Sequence, residues 1–340
     1  MTDKLPIGLN PGCVLHTDSD PELDLETKFR MVKESGAFDY IDKTPPPDEV
    51  DEHRRLAEKY DLPILASGWY YTLGRDEPLI EQNLKIAAEL GTRVHNTQIM
   101  MYHDDGHVVT NDEVADIYMS AYEIGERVGC KPTFEVHINM WSEDFPRVSQ
   151  VADMVEARGV PFRMTLDHSH VIFKIDNDEE QSNPYGDGTT FNIKGAVDSG
   201  ELVLDPYKPG NVCEEWIGRG FVHHCHARAA VPNNPRNIKA HHPDGKVGRG
   251  VQYPFVEPGP GEYHAEWHGE KLEPWKEVLR RLLADHASRE DSPLEMISTE
   301  FIPFPDYGSG GGYSIFDNSV ACAHWLRETW AELSASRAAE

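Results

Sequence analysis

The sequence predicts an α/β fold, a single (β/α)8 TIM barrel in which eight parallel strands alternate with helices. Short apolar runs alternate with amphipathic helical patterns along the chain, and eight of these runs are strand candidates. The 340 residues divide into eight units of roughly 40 residues, which suits a barrel with long loops. Neither a linker nor a shift in composition marks a boundary, so we expect residues 1–340 to form one domain.

Each predicted strand is a short apolar run, and most of these runs are followed by a helical pattern. The strands are residues 6–12, 37–43, 62–68, 93–101, 133–138, 163–170, 221–228 and 295–301. The helices are residues 24–36, 47–61, 77–91, 111–129, 144–159 and 316–333. Pro47 suits a first helical turn, Gly91 suits a helix end, and Asn111 is the predicted N-cap of the fourth helix.

Two stretches rich in Gly, Pro, Asn and Asp interrupt this alternation. Residues 172–220 follow the sixth strand, and residues 230–272 follow the seventh. Loops longer than about 15 residues are uncommon in compact domains and usually have a function when they are ordered. We therefore expect both stretches to be active-site loops.

The composition argues against several classes of partner. Acidic residues number 59 against 32 basic ones, which gives a net charge of −27. Such a chain repels phosphate backbones and anionic lipids, so neither nucleic acid nor a membrane is expected as a partner. Five scattered cysteines without a CxxC pair, and a first segment without an apolar core, are typical of a cytoplasmic protein.

Ionisable residues crowd the C-terminal ends of strands five to eight, where barrel enzymes place their catalytic groups. These residues are Glu135, Asp167, His226 and Glu300. Carboxylates inside a barrel are costly unless they are paired, hydrogen-bonded or bound to a metal. Two Glu, one Asp and one His around a common axis suit one divalent metal ion. Mn²⁺ is the expected ion, and Mg²⁺, Co²⁺ and Zn²⁺ are alternatives.

Four motifs resemble the signatures of the xylose isomerase-like barrel superfamily. TFEVH, TLDHSH, HCHAR and STEF occur in the order of its Glu, Asp-x-x-His, His-x-His and Glu signatures. They are most similar to the D-tagatose 3-epimerase branch, and the likeness covers residues 6–333 as a fold. The resemblance implies a metal-dependent isomerase or epimerase that acts on a small sugar or sugar derivative.

The resemblance also implies roles for individual residues. It places the metal ligands on Glu135, Asp167, His226 and Glu300, and it makes the two glutamates an acid/base pair on opposite faces of the substrate. The metal would polarise a ketose carbonyl, and the carboxylates would remove and return the adjacent proton through an enediolate. His170 would contact substrate hydroxyls.

Further candidates lie at the same strand ends. Arg228 matches the substrate-binding Arg of the epimerases in kind, although theirs lies further past the strand-seven histidine. His224 shares the face of strand seven that carries Arg228, Trp69 could stack on a sugar, and Gln98 could hydrogen-bond its hydroxyls. His137 is a candidate for a separate general base.

The sequence leaves the reaction open. The superfamily also contains dehydratases and the larger subunits of C-glycoside deglycosidases, which begin with the same proton abstraction and then expel a leaving group. A lyase of either kind, including one acting on a 3-keto-glycoside, is therefore an alternative, because the long loops suit a bulkier substrate. A non-catalytic sugar- or metal-binding barrel is another. The resemblance implies a homo-oligomer and, for a deglycosidase, a small second subunit.

Overall fold

The computed structural model describes residues 4–17, 19–182 and 193–338. Its strands are β1 Ile7–Leu9, β2 Tyr40–Asp42, β3 Ile64–Tyr71, β4 Val94–Ile99, β5 Lys131–Glu135, β6 Met164–Leu166, β7 Val222–Ala227, β8 Asn237–His241, β9 Val247–Gly248 and β10 Met296–Thr299. Eight of them form a closed parallel barrel in the order β1-β10-β7-β6-β5-β4-β3-β2, whereas β8 and β9 form a separate antiparallel pair. The predicted (β/α)8 fold is confirmed.

The helices pack around this barrel with one apolar face inward. They are α1 Leu25–Ser35, α2 Val50–Tyr60, α3 Glu77–Glu89, α4 Asn111–Val128, α5 Phe145–Ala157, α6 Ser169–Ile172, α7 Asp178–Gln181, α8 Lys194–Ser199, α9 Val212–Gly218, α10 Glu273–Ser288 and α11 Ile315–Ala338. In α2, for example, Val50, His53 and Leu56 are buried at helical spacing. None of the described helices is both long and apolar enough to cross a membrane.

The N-cap of α4 is Thr110, and the prediction of Asn111 was wrong. The Thr110 hydroxyl accepts a hydrogen bond from the Glu113 backbone N–H at 3.2 Å, and the Glu113 carboxylate accepts one from the Thr110 N–H at 2.7 Å. This reciprocal capping box satisfies two backbone donors at once. Asn111 is the first helical residue instead, and its side chain donates to Gln150.

The barrel interior changes from apolar to polar along its axis. Tyr40, Ala66, Val94 and Met296 pack together near the start of the strands. One layer further along, the buried hydroxyls and imidazoles bond to one another. The Ser298 hydroxyl lies 2.8 Å from the Tyr40 hydroxyl and 2.9 Å from His224 Nε2. Because strand side chains repeat every two residues, the next inward positions reach the C-terminal mouth of the barrel.

Both predicted long loops contain short elements, although residues 183–192 of the first lie outside the described residues. Helices α7, α8 and α9 lie in the first loop, and the β8–β9 hairpin lies in the second. A buried group of charges, here called the loop ion network, joins them. Its members are Glu143 after β5, Lys174 and Glu180 after β6, and Arg249 after β9. The network fixes both loops on the same side of the barrel mouth.

Candidate active site

Four of the predicted site residues meet at the C-terminal mouth of the barrel. Glu135, Asp167, His226 and Glu300 each offer one ligand atom, and these atoms all lie within 4.8 Å of one another. They lie at the ends of β5, β6, β7 and β10, and strand alternation turns each toward the barrel axis. Ligands about 2.0–2.2 Å from a central ion lie at most about 4.4 Å apart, close to this spacing.

His226 is the centre of this group. Its Nδ1 lies 2.8 Å from Glu135 Oε1 and 3.0 Å from Glu300 Oε2, and its Nε2 lies 3.3 Å from Asp42 Oδ2. Burial acts to lower the pKa of His226, but the Glu300 and Glu135 carboxylates raise it well above its usual value. Burial acts to raise the pKa of Glu135, but His226 lowers it to about 2. The carboxylates around His226 therefore favour a positive charge at this position.

Arg228 supplies a second positive charge beside the same carboxylates. Its Nη1 lies 2.7 Å from Asp167 Oδ2, its Nη2 contacts the Glu300 carboxylate, and its Nε donates to the Glu300 carbonyl at 2.8 Å. Burial opposes ionisation of Asp167, but Arg228 holds its pKa well below the usual range. Even so, Asp167 Oδ2 is buried without a properly directed hydrogen bond. One lone pair of a candidate ligand thus remains available.

The charges in this group fit a divalent cation. Its carboxylates are Asp42, Glu135, Asp167 and Glu300, all within the contacts given above. These four carboxylates outnumber the two cations beside them, Arg228 and a protonated His226. Excess buried negative charge is costly, and a divalent cation held by oxygen and imidazole ligands would compensate it. The residues present therefore suit the metal that the sequence predicts.

His170 and His224 lie close to the predicted metal ligands, and His170 belongs to a different element from the one predicted. The predicted sixth strand extends to residue 170, but β6 ends at Leu166 and His170 lies in α6. His170 Nε2 lies 3.2 Å from Asp167 Oδ2, and burial lowers the pKa of His170 to about 3. His224 lies one layer below His226, where burial lowers its pKa to about 4. Both are fully buried, and their contact with substrate stays a prediction.

A cavity of about 330 Å³ opens above the group. Arg228 and Glu300 lie at its floor, and the remaining predicted residues Trp69, Gln98 and His137 lie on its walls. The Gln98 amide donates to Glu135 Oε2, and His137 Nε2 lies 3.0 Å from the Tyr307 hydroxyl.

Sequence reasoning missed three residues of this site. Asp42 closes β2 on the same face as Tyr40, and Asn96 precedes Gln98 by two residues in β4 and donates to Glu135 Oε2 at 2.7 Å. The period of two along each strand was the signal that could have found them. Lys43 directly follows β2. It lines the cavity, and no carboxylate of the described ranges forms an ion pair with it.

Comparisons with known proteins support the fold. No family model matches the sequence, and no curated protein matches it significantly. Among solved structures, a 3-keto-D-glucoside 4-epimerase from E. coli is 14% identical, with 96% of this chain and 100% of that chain covered and a TM-score of 0.53. A xylose isomerase-like TIM barrel protein from Mycobacterium smegmatis in complex with magnesium is 11% identical (97% and 98% covered, TM-score 0.54). A probable 3-DHS dehydratase from Bacillus anthracis is 13% identical (95% and 98% covered, TM-score 0.50). The chain therefore has the fold of the xylose isomerase-like TIM barrels.

Proposed function

We propose that the protein is a divalent-metal-dependent isomerase or epimerase that moves a proton next to the carbonyl of a sugar or sugar derivative. The observation that carries this proposal is the arrangement of Glu135 and Glu300 on one imidazole. Both carboxylates approach His226 Nδ1, at 2.8 and 3.0 Å, beneath a cavity with polar and aromatic walls. Two carboxylates at one reacting centre suit a proton that is removed and then returned.

The metal would be held by Glu135, Asp167, His226 and Glu300, with Mn²⁺ as the expected ion. When bound, it would withdraw charge from the substrate carbonyl and so make the adjacent C–H more acidic. Mg²⁺, Co²⁺ and Zn²⁺ suit the same mixture of oxygen and nitrogen ligands. A sugar substrate and a homo-oligomeric assembly remain part of the proposal.

The surrounding residues prepare the two carboxylates. Glu300 lines the cavity and takes the proton from the carbon beside the carbonyl, while Arg228 orients it through contacts with both its carboxylate and its backbone carbonyl. Glu135 approaches the same nitrogen of His226, and Asn96 and Gln98 fix its Oε2 by two donated hydrogen bonds. Proton return from Glu135 to the opposite face of the substrate gives epimerisation.

A lyase is the second candidate, and the His137–Tyr307 pair favours it. The Tyr307 hydroxyl and His137 Nε2 lie 3.0 Å apart on the cavity wall, apart from the two carboxylates. Burial raises the pKa of Tyr307 well above its usual value, so the hydroxyl keeps its proton. A protonated hydroxyl at this position can donate a hydrogen bond to the oxygen of a leaving group.

Metal analysis followed by a deuterium-exchange assay tests the proposal. Protein loaded with Mn²⁺ and desalted should retain one equivalent of metal, and Asp167→Asn should lower that amount. An exposed group at His103, Asp105 and His107 also has ligand spacing, so the count should be made in a His107→Ala background. This matched variant separates the barrel site from weak surface binding.

The metal-loaded protein is then incubated in D2O with ketoses and 3-keto-glucosides. Deuterium should enter beside the carbonyl with Mn²⁺ and should not enter after chelation. An epimeric product supports the first candidate, and release of a fragment or water supports the lyase. A folded protein with neither bound metal nor exchange contradicts the proposal and favours a binding barrel.

A further inference from the structure

Exposed aromatic side chains are concentrated at the mouth of the cavity. Within the described ranges, seven large apolar side chains are exposed, and Trp69, Tyr70 and Phe304 are three of them, at 37%, 53% and 60%. All three line this cavity. Solvent exposure of large apolar side chains is unfavourable, and their grouping at a concave site is typical of ligand contact.

Two of these rings stack on each other. Trp69 and Tyr70 stack with their centroids 5.2 Å apart and their planes at 12°. Tyr70 pairs in register with Gln98, whose amide contacts Glu135. Phe304 follows Glu300 by four residues on the other side of the same opening. The aromatic side chains therefore lie next to the group of carboxylates.

The solvent-facing end of the cavity is aromatic. Of the residues that line the cavity, Trp69, Tyr70 and Phe304 are exposed, whereas Arg228 is buried and Glu300 is half-buried. A substituent that extends from a sugar bound at Arg228 and Glu300 toward solvent would therefore come close to these aromatic side chains.

We infer that this aromatic mouth is a second subsite, which binds a ring joined to the reacting sugar, so that the substrate is a glycoside and not a free monosaccharide. The inference rests on the proposed function for the role of the inner sugar. The cavity volume of about 330 Å³ falls in the range of roughly 300–1,000 Å³ typical of sites for drug-sized ligands. A flat ring face, either aromatic or that of a second sugar, matches the Trp69–Tyr70 surface.

Calorimetric binding of three unreactive probes to the metal-loaded protein tests this inference. The probes are methyl β-D-glucoside, phenyl β-D-glucoside and cellobiose, which share one sugar and differ in what is attached. We expect the phenyl glucoside or cellobiose to bind about 3–10-fold more tightly than the methyl glucoside, as a stacking contact predicts. The better probe of the two identifies the second ring as aromatic or as a sugar.

Variants then locate the gain in affinity. Trp69→Ala and Phe304→Ala should each lower the ratio of the affinity for the better probe to that for the methyl glucoside toward one, and Trp69→Phe should retain most of this ratio. Tyr207→Ala is the matched control, because Tyr207 is 54% exposed and does not line the cavity. Binding of unreactive probes does not require turnover. If Glu135→Gln loses proton exchange but still binds the better probe more tightly than the methyl glucoside, the second subsite is shown independently of the proton-transfer function.

Three results would overturn the inference. They are equal affinity for all three probes, no binding of any probe, and an unchanged affinity pattern in Trp69→Ala. If Trp69→Ala alters the oligomeric state by light scattering and leaves the probe affinities unchanged, the aromatic mouth is a contact between copies of this chain.

Discussion

Two buried groups of charges lie at the same end of the barrel, and their charge balance differs. Among the described residues, the loop ion network contains two carboxylates and two cations; Arg249 lies 2.6 Å from Glu180 and Lys174 lies 2.9 Å from Glu143. The group around His226 is almost as deeply buried, with the Glu300 side chain 12% exposed, but its carboxylates outnumber its cations. Burial alone therefore does not mark a functional site. A balanced network joins loops, whereas an excess of negative charge suits a bound cation.

The largest expected effect is on the rate of proton exchange, and it concerns the group around His226. Glu135→Gln and Glu300→Gln should each lower the rate of proton exchange by about 10²–10⁴-fold, as loss of a general acid or base does. Both variants should still unfold cooperatively, because the barrel core does not depend on them. Exchange rates by NMR and thermal unfolding by circular dichroism measure both quantities. Wild-type exchange in either variant would refute the acid/base assignment.

The next effect is on stability and belongs to the loop ion network. Glu143→Gln leaves Arg249 and Lys174 short of one buried partner, so the free energy of unfolding should fall by about 3–5 kcal/mol. Urea unfolding of the metal-free protein measures this change. Glu34→Gln is the control, since Glu34 forms an exposed ion pair with Arg30 that contributes at most about 0.5 kcal/mol. If the free energy of unfolding of Glu143→Gln falls no more than that of Glu34→Gln, the loop ion network does not hold the loops.

The smallest effect is a difference in pH dependence. Burial acts to raise the pKa of Glu143, but Arg249 and then Lys174 hold it well below its usual value of 4.5. A carboxyl group with a lowered pKa stabilises the fold above its unfolded pKa, and that contribution is lost as the pH falls below it. Wild-type stability should thus fall more steeply than that of Glu143→Gln below about pH 5, by up to about 1.4 kcal/mol per pH unit. Parallel curves in urea titrations would contradict this prediction.

Local sequence patterns were sufficient to predict the barrel. Each strand is a short apolar run, most of these runs precede an amphipathic helix, and both signals depend on neighbouring residues. The carboxylates and His226 were predicted together because each lies at the C-terminal end of a strand, where alternation fixes its direction. Asp42 and Asn96 obey the same rule, but an isolated Asp or Asn at a strand end has many ordinary explanations.

The remaining features depend on contacts between distant segments. Glu143 and Arg249 are 106 residues apart, and nothing near either residue indicates the other. His170 was misplaced because the apolar run of the sixth strand gives no sign that the chain turns into α6 after Asp167. The N-cap was misassigned because Thr110 and Asn111 are both good capping residues, and only Glu113 three positions after Thr110 distinguishes them.

Closure of the barrel also sets the order in which the protein can be completed. Strand β1 pairs with β10, so that Ile7 lies beside Ile297. During synthesis the first strand has one unpaired edge until β10 has been made, and such edges attract other chains. Glu300 directly follows β10, the strand that closes the barrel. A nascent chain therefore cannot complete the group around His226 before the barrel closes. A chain released before that point would have an open sheet, which is prone to aggregation, and would lack Glu300.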